Sequence, residues 1–259
     1  MSRQRGRMSG SSGGRSEVAV RFVRAEAFRD DLLASRARAI LGTVEGETLA
    51  RLRTPAARRD YLAAHALARK MLSELACCDP ARVRFRSSPR GRPMFVPPPG
   101  APPLQFSISH ADGVALCAVA EKHAVGADVE SLRNVGPDPL GVAEAVCSPS
   151  ERDALRALPP SSRATRLISV WTRKEAVAKA TGLGFYFPPG MITVHADANG
   201  SRVTTLDSEG TLFGRLASRR LTPDHVAAVA VLTGPWEQVG IRFAEVVPRA
   251  GAPWMLRPI

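Results

Sequence analysis

The sequence predicts a mixed α/β chain arranged as two similar lobes, and three observations carry that reading. Stretches in which apolar and polar residues alternate, as in strands, are interleaved with stretches of helical apolar spacing. Two apolar segments resemble each other, Ala111-Asp-Gly-Val-Ala-Leu-Cys-Ala-Val-Ala120 and Pro223-Asp-His-Val-Ala-Ala-Val-Ala-Val-Leu232. Each reads as a turn feeding a buried strand, and their offset of 112 residues is near half the ordered length, as a duplicated lobe would give. Finally, 259 residues suffice for two units of about 100 to 130 residues, each able to bury a core. A boundary near residue 124 divides the chain into lobes 17–124 and 125–259.

The elements follow in order. Residues 1–16 carry four Arg among Gly and Ser and read as a disordered basic tail without the apolar stretch of a signal sequence. Glu17 to Val23 alternates as a strand does, and Ala56 to Leu75 has helical spacing at Leu62, Ala66, Leu67, Met71 and Leu72. Val83 to Phe85 is a short strand. Pro and Gly from Ser88 to Pro103 predict a loop of preset turns, after which strand signals resume at Leu104. In the second half, Ser148-Pro149-Ser150-Glu151 has a capping-box pattern with Pro at the first helical position, which predicts a helix to about Leu158. A second helix spans roughly Ser162 to Thr181 and stops at Gly182. Strands are expected at Ile192 to His195 and Leu212 to Ala217.

Composition excludes several classes. The apolar runs, such as Val226 to Leu232, fall far short of the roughly 20 residues that span a bilayer, so no membrane role is expected and cytoplasm is the default. Cys77, Cys78, Cys117 and Cys147 are too irregularly spaced for a disulfide framework or paired zinc ligands, which favours reduced, packed thiols. The net charge of +12 falls to about +8 once the tail is set aside and favours anionic partners: nucleic acid, a phosphorylated small molecule or an acidic protein.

Four constellations could carry chemistry. In Val125-Gly126-Ala127-Asp128-Val129-Glu130, an extended backbone points Asp128 and Glu130 to one side, and paired carboxylates suit a divalent cation as well as they suit a solvated strand end. Trp171, Glu175 and Lys179, four apart, share one helix face, with Lys174 beside it. A surface Glu175–Lys179 pair is the ordinary account. Yet the chain has 32 Arg and only four Lys, two of them here, and Lys can release a proton where Arg cannot. Phe106-Ser107-Ile108-Ser109-His110 places a His beside hydroxyls at a strand end, able to donate to phosphate or to backbone. Around Gly91, Arg84, Arg86, Arg90 and Arg92, with Arg51, Arg53, Arg58, Arg59 and Arg69 upstream, offer guanidinium forks for phosphate or simply a solvated face.

The order and spacing of F-S-I-S-H ending at His110, G-x-D-x-E beginning at Gly126 and W-x-x-K-E-A-x-x-K at 171–179, with G-R-P at 91–93, resembles the Sfp-type 4′-phosphopantetheinyl transferases. The resemblance is strong over Val83 to Pro188. It implies two pseudo-symmetric α/β lobes with the active site between them. The implied reaction moves the phosphopantetheine arm of coenzyme A to a Ser of an apo acyl or peptidyl carrier protein, releasing 3′,5′-ADP. By the same resemblance Asp128, Glu130 and Glu175 would hold Mg²⁺, or Mn²⁺, while Lys179 and His110 bind the pyrophosphate and Glu175 accepts the Ser proton. Ser109, Lys174, Gly91, Arg92 and Pro93 would contact coenzyme A, Arg92 standing where the family has Lys. Arg59 would replace a helix Arg expected at the position of Asp60. The W-x-x-K-E-A form leans towards polyketide or fatty-acid carriers, which are acidic, with residues 131–146 as docking surface. A monomer is expected.

Two other readings compete. A basic nucleic-acid-binding module is suggested by the Arg clusters, though aromatics are only 5% and no recognised DNA- or RNA-binding signature is present. A metal-dependent phosphohydrolase or nucleotidyl transferase would use the same three acids.

Overall fold

The computed structural model describes residues 16–182, 192–197, 200–207, 210–234, 237–249 and 253–259. The basic tail before residue 16 and the end of the resembling segment, 183–188, lie outside them. The N-terminal half runs β1 (Ser16–Arg24), α1 (Asp31–Ala39), α2 (Thr43–Arg51), α3 (Pro55–Leu75), β2 (Arg84–Ser87), β3 (Pro93–Val96), β4 (Gln105–Ala111) and β5 (Val114–Ala120). It continues with β6 (Val125–Ser131), α4 (Pro139–Val146), α5 (Pro149–Arg156), α6 (Pro160–Thr181), β7 (Ile192–Asp197), β8 (Gly200–Asp207), β9 (Gly210–Thr222), β10 (His225–Leu232), β11 (Val239–Val247) and β12 (Met255–Pro258).

Two five-stranded sheets result, ordered β12-β11-β1-β5-β4 and β6-β10-β9-β8-β7. The repeated segments become β5 and β10, the second strand in from the edges β4 and β6. Period-two alternation explains why both are buried on two faces. From β5, Val114, Leu116, Ala118 and Ala120 join Val18, Val20 and Phe22 of β1 and pack against Val125, Ala127, Val129, Ala227, Val229 and Val231 of the other sheet. The opposite faces meet helices: Ala115, Cys117 and Val119 pack on α3, and Ala228 and Ala230 on α6. The layers are therefore helix, sheet, sheet, helix. Each buried Val or Leu contributes roughly 1.5–3 kcal/mol, so the paired sheets dominate the core.

The local signals account for the helix ends. Ser148 Oγ accepts from the Glu151 N–H while the Glu151 carboxylate accepts from the Ser148 N–H, the reciprocal cap that opens α5. Gly182 closes α6 in the left-handed region at φ 71°. The loop expected from Ser88 to Pro103 instead contains β3, which pairs with β2. Pro93 opens that strand, where a missing N–H costs little.

The lobes are not contiguous in the chain. Strand β11 pairs in parallel with β1, and β12 extends the same sheet, so residues 239–258 complete the N-terminal lobe rather than the C-terminal one. Without them β1 would present an open sheet edge. No helix among the described residues is long and apolar enough to cross a membrane. Cys117 and Cys147 are buried free thiols, Cys78 is half-buried, and Cys77 is exposed.

Candidate active site

The edges of the two sheets, β4 and β6, meet side by side, and α6 lies across β6. Gly126 makes that approach possible, because a Cβ there would overlap the Ala176 carbonyl oxygen and the Ala180 nitrogen. The glycine of the G-x-D-x-E motif thus seats the helix that carries the other site residues.

Hydroxyls of β4 join the two edges. Ser107 Oγ accepts from the Ala127 N–H at 3.0 Å, and Ser109 Oγ donates to Asp128 Oδ1 at 2.9 Å. From α6, Lys179 Nζ donates to the same Asp128 oxygen at 2.6 Å and to Ser109 Oγ at 3.1 Å. Trp171 Nε1–H donates to Glu130 Oε1 at 2.9 Å. The helix face 171–175–179 therefore does not carry a surface Glu175–Lys179 pair: the Lys reaches across to Asp128 instead.

Asp128 is 3% exposed, and its Oδ2 is buried without a hydrogen-bond partner. Burial raises the pKa of Glu130 above the ordinary carboxylate value, and repulsion from Asp128 and Glu175 adds to it, against the Trp171 hydrogen bond and Lys179. Glu175 is raised likewise, by burial and then by Asp128, with Lys179 opposing. Three mutually repelling carboxylates and one orphaned carboxylate oxygen are the donor set that a hard divalent cation satisfies. Among the described residues no three carboxyl, His or Cys groups are already drawn together tightly enough to chelate a metal, since Lys179 holds one oxygen of Asp128.

His110 projects from the end of β4 at the protein surface. Desolvation is the main influence that pulls its pKa below the usual histidine value; His65 and Lys179 add to that and Asp60 opposes it. Asp60 is itself raised, by burial first, while accepting from the Gly113 N–H.

Other expected site residues lie elsewhere. Lys174 is 1% exposed, and its ammonium donates to Glu151 Oε2 at 2.6 Å and the Val146 carbonyl at 3.1 Å, pinning α6 to α5 and the end of α4. It faces away from the acids because consecutive helix residues diverge by about 100°. Arg59 lines a surface hollow between α1, α2 and α3 together with Arg29, Arg38 and Arg58. Gly91 and Pro93 line a cavity of about 1610 Å³ between α2, α3 and the β2–β3 hairpin, which reaches Ile108 two residues before His110. Arg92 is not among its lining residues. Its guanidinium donates to the carbonyls of Lys179, Phe106 and Val125.

Of the cluster that shapes this cavity the sequence marks only Arg69, as one of several upstream arginines, and its guanidinium is taken up by protein groups, with Glu45 and His65 not singled out. Glu45, on α2, accepts from Arg69 Nε at 2.9 Å and Nη2 at 2.5 Å, from the Gly42 N–H, and bonds His65 Nδ1 at 2.7 Å. Burial opposes its ionisation, but these hydrogen bonds outweigh it and hold the pKa at about 2. Arg69 also reaches the Pro80 and Val83 carbonyls, fixing the entry to β2. A Glu three residues after Gly42 was the available signal, a capping box without a hydroxyl.

A sequence profile of the 4′-phosphopantetheinyl transferase superfamily matches residues 124–230, the span that holds Gly126, Asp128, Glu130 and all of α6. The 4′-phosphopantetheinyl transferase HetI of Nostoc sp. is 32% identical over 148 residues, covering 56% of this chain and 62% of HetI. A putative 4′-phosphopantetheinyl transferase of Synechocystis sp., slr0495, is 28% identical over 187 residues, 72% of this chain and 74% of that protein. A Bacillus anthracis holo-(acyl-carrier-protein) synthase, solved with CoA (3′,5′-ADP), is 21% identical, with a TM-score of 0.37 over 42% of this chain and 94% of its own. The aligned part thus spans about three fifths of HetI. The likeness to the 4′-phosphopantetheinyl transferase superfamily is thus carried by residues 124–230, with the relatives extending it over 56% to 72% of the chain.

Proposed function

We propose that the protein transfers the 4′-phosphopantetheine arm of coenzyme A to a Ser hydroxyl of an acidic apo carrier protein of polyketide or fatty-acid type, releasing 3′,5′-ADP. The observation that carries the reading is the convergence of Asp128, Glu130, Glu175 and Lys179 where β4, β6 and α6 meet. In the reaction the Ser oxygen bonds to the β-phosphorus, the anhydride P–O bond breaks, and the leaving diphosphate oxygen departs with 3′,5′-ADP. Negative charge rises on the leaving bridging oxygen and spreads over the transferring phosphoryl oxygens, so catalysis is mainly neutralisation and alignment.

Asp128 through its unpartnered Oδ2, with Glu130 and Glu175, would hold Mg²⁺ or Mn²⁺; when bound, the cation supplies charge neutralisation at the pyrophosphate. Lys179, turning from Asp128, and His110 would donate to the phosphate oxygens. Glu175, whose carboxyl burial and Asp128 hold above the ordinary carboxylate value, would take the Ser proton directly or through water. Gly91 and Pro93 border the large cavity as the place for the nucleotide, and its lining reaches Ile108, the residue before Ser109. Trp171 keeps Glu130 aimed by its N–H. The positive net charge suits an acidic carrier docking on residues 131–146, in a cytoplasmic monomer.

The test is direct. The protein is incubated with coenzyme A, Mg²⁺ and several apo acyl or peptidyl carrier proteins, and each carrier is weighed. A gain of about 340 Da, the mass of the transferred group, is expected, and Asp128→Ala and Glu175→Ala should abolish it. No gain on any carrier, with nucleotide turnover in its absence, would move the assignment to a phosphohydrolase.

A further inference from the structure

The G-R-P turn at 91–93 contains an arginine that is absent from the large cavity bordered by Gly91 and Pro93 and lies instead at a smaller one, of about 430 Å³, with Phe106 and Gly182. The Arg92 backbone is locked first: its N–H donates to Ser88 Oγ at 3.0 Å and its carbonyl accepts from the Ser88 N–H at 2.8 Å. The guanidinium then reaches inward. Nη1 donates to the Lys179 carbonyl at 2.6 Å, and Nη2 to the carbonyls of Phe106 and Val125, each at 2.8 Å.

Those three acceptors belong to three different elements. Phe106 is on β4, the edge of one sheet, Val125 opens β6, the edge of the other, and Lys179 is in the last turn of α6. The sheets share no backbone ladder across this junction, so side chains supply the rungs. Arg92 bridges 106 to 125, Ser107 bridges to 127, and Ser109 bridges to 128. Of the three, Arg92 is the one that bonds the backbone of the helix, where its charge meets the negative end of the helix dipole at a carbonyl that also accepts from the Gly182 N–H. Its third bond therefore fixes the backbone of the residue whose ammonium sits on Asp128.

We propose that Arg92 is a positioning residue for Lys179 and the acid cluster, joining the two lobes to α6, and does not contact the coenzyme. The catalytic half of this statement rests on the transferase reading above; the structural half does not. Lysine cannot replace it. One ammonium nitrogen cannot span carbonyls on three elements as a planar fork with five N–H groups does.

The test uses the full chain with Arg92→Lys and Arg92→Met, followed by hydrogen exchange and mass spectrometry with no ligand present. Both variants should exchange about tenfold faster in peptides covering 176–182 and 125–128, while α3 and β1 stay protected as in the unaltered protein. In the carrier assay kcat should fall in both, with KM for coenzyme A nearly unchanged and no rescue by Lys. Unchanged exchange without ligand, together with a raised coenzyme A KM that Arg92→Lys restores, would overturn the proposal and make Arg92 a ligand contact. Exchange rising uniformly through the chain would overturn it too, by marking a general loss of stability. Should the unaltered protein modify no carrier, the transferase reading fails, and the exchange result still decides the role of Arg92 in the seam.

Discussion

Gly126→Ala asks how closely α6 must sit on its strand. The added methyl would overlap the Ala176 carbonyl oxygen and the Ala180 nitrogen, and both are backbone atoms that no rotamer change can move aside. Ordinary carbon contacts lie near ~3.5 Å, so α6 must retreat by roughly 1 Å or more. Overpacking of this kind costs about 1–3 kcal/mol, and a chain of this size loses about 2–4 °C of Tm per kcal/mol. The same retreat carries Glu175 and Lys179 away from Asp128, where Lys179 now lies at 2.6 Å. Misplacement by about 1 Å at a reacting centre costs on the order of 10²-fold in rate. A thermal melt and the carrier-modification rate, measured on one preparation, would give both numbers. A melting temperature and a rate both equal to those of the unaltered protein would refute the argument. So would a normal rate in a destabilised chain, since it would uncouple the strand–helix approach from the site.

Other outcomes follow from the same geometry. Trp171→Phe keeps the ring but removes the N–H that orders Glu130 at 2.9 Å; a loss of about 1–2 kcal/mol in metal affinity, read by Mn²⁺ titration, is expected, with little change in Tm. Glu45, held at about 2, stabilises the fold above its unfolded value near 4.5, and that contribution, about 3 kcal/mol, drains away as pH falls from 4.5 towards 2. Glu45→Gln should flatten this acid limb in denaturant titrations at stepped pH. Glu130 and Glu175 have raised values, so the metal-free fold gains stability as pH falls through them and Mg²⁺ should stabilise it more at high pH than at low; a Mg²⁺-induced Tm shift independent of pH would contradict this. Lys174→Met strands the Glu151 carboxylate without its ammonium partner and should lower Tm while leaving metal affinity unchanged.

What could be read in advance depended on whether the deciding force was local. The cap at Ser148 and the stop at Gly182 are contained within a few residues, and both stand in the sequence as patterns. The buried strands β5 and β10 announce themselves because both faces are apolar, and their likeness exposes the repeated architecture. Strands β8, β11 and β12 escape notice, for their sequences mix apolar and polar residues without strict alternation. Helices α1 and α2 are Arg- and Glu-bearing and short, so their apolar faces are thin, and α4 has only 8 residues in which a helical period could show. At the site, the period of a strand and of a helix put Asp128 with Glu130 and Trp171 with Glu175 and Lys179. Which partner each side chain takes was not legible. The scarcity of Lys singled out Lys174 and Lys179 alike, yet one lies in the cluster and the other is buried against Glu151. Arg92 illustrates the limit best, since a phosphate and a trio of carbonyls ask for the same guanidinium, and only the fold decides between them.

The parallel pairing of β11 with β1 also sets a timetable for synthesis. A nascent chain can close its second sheet once residue 232 has emerged, but the first must wait for a strand encoded more than two hundred residues after its own beginning. Until then β1 has a bare flank that any passing strand could occupy. Folding of the first sheet is thereby postponed until residue 247 has emerged, and a ribosome stalled before residue 239 would release a chain whose unfinished half is the one bearing the cavity between α2, α3 and the β2–β3 hairpin.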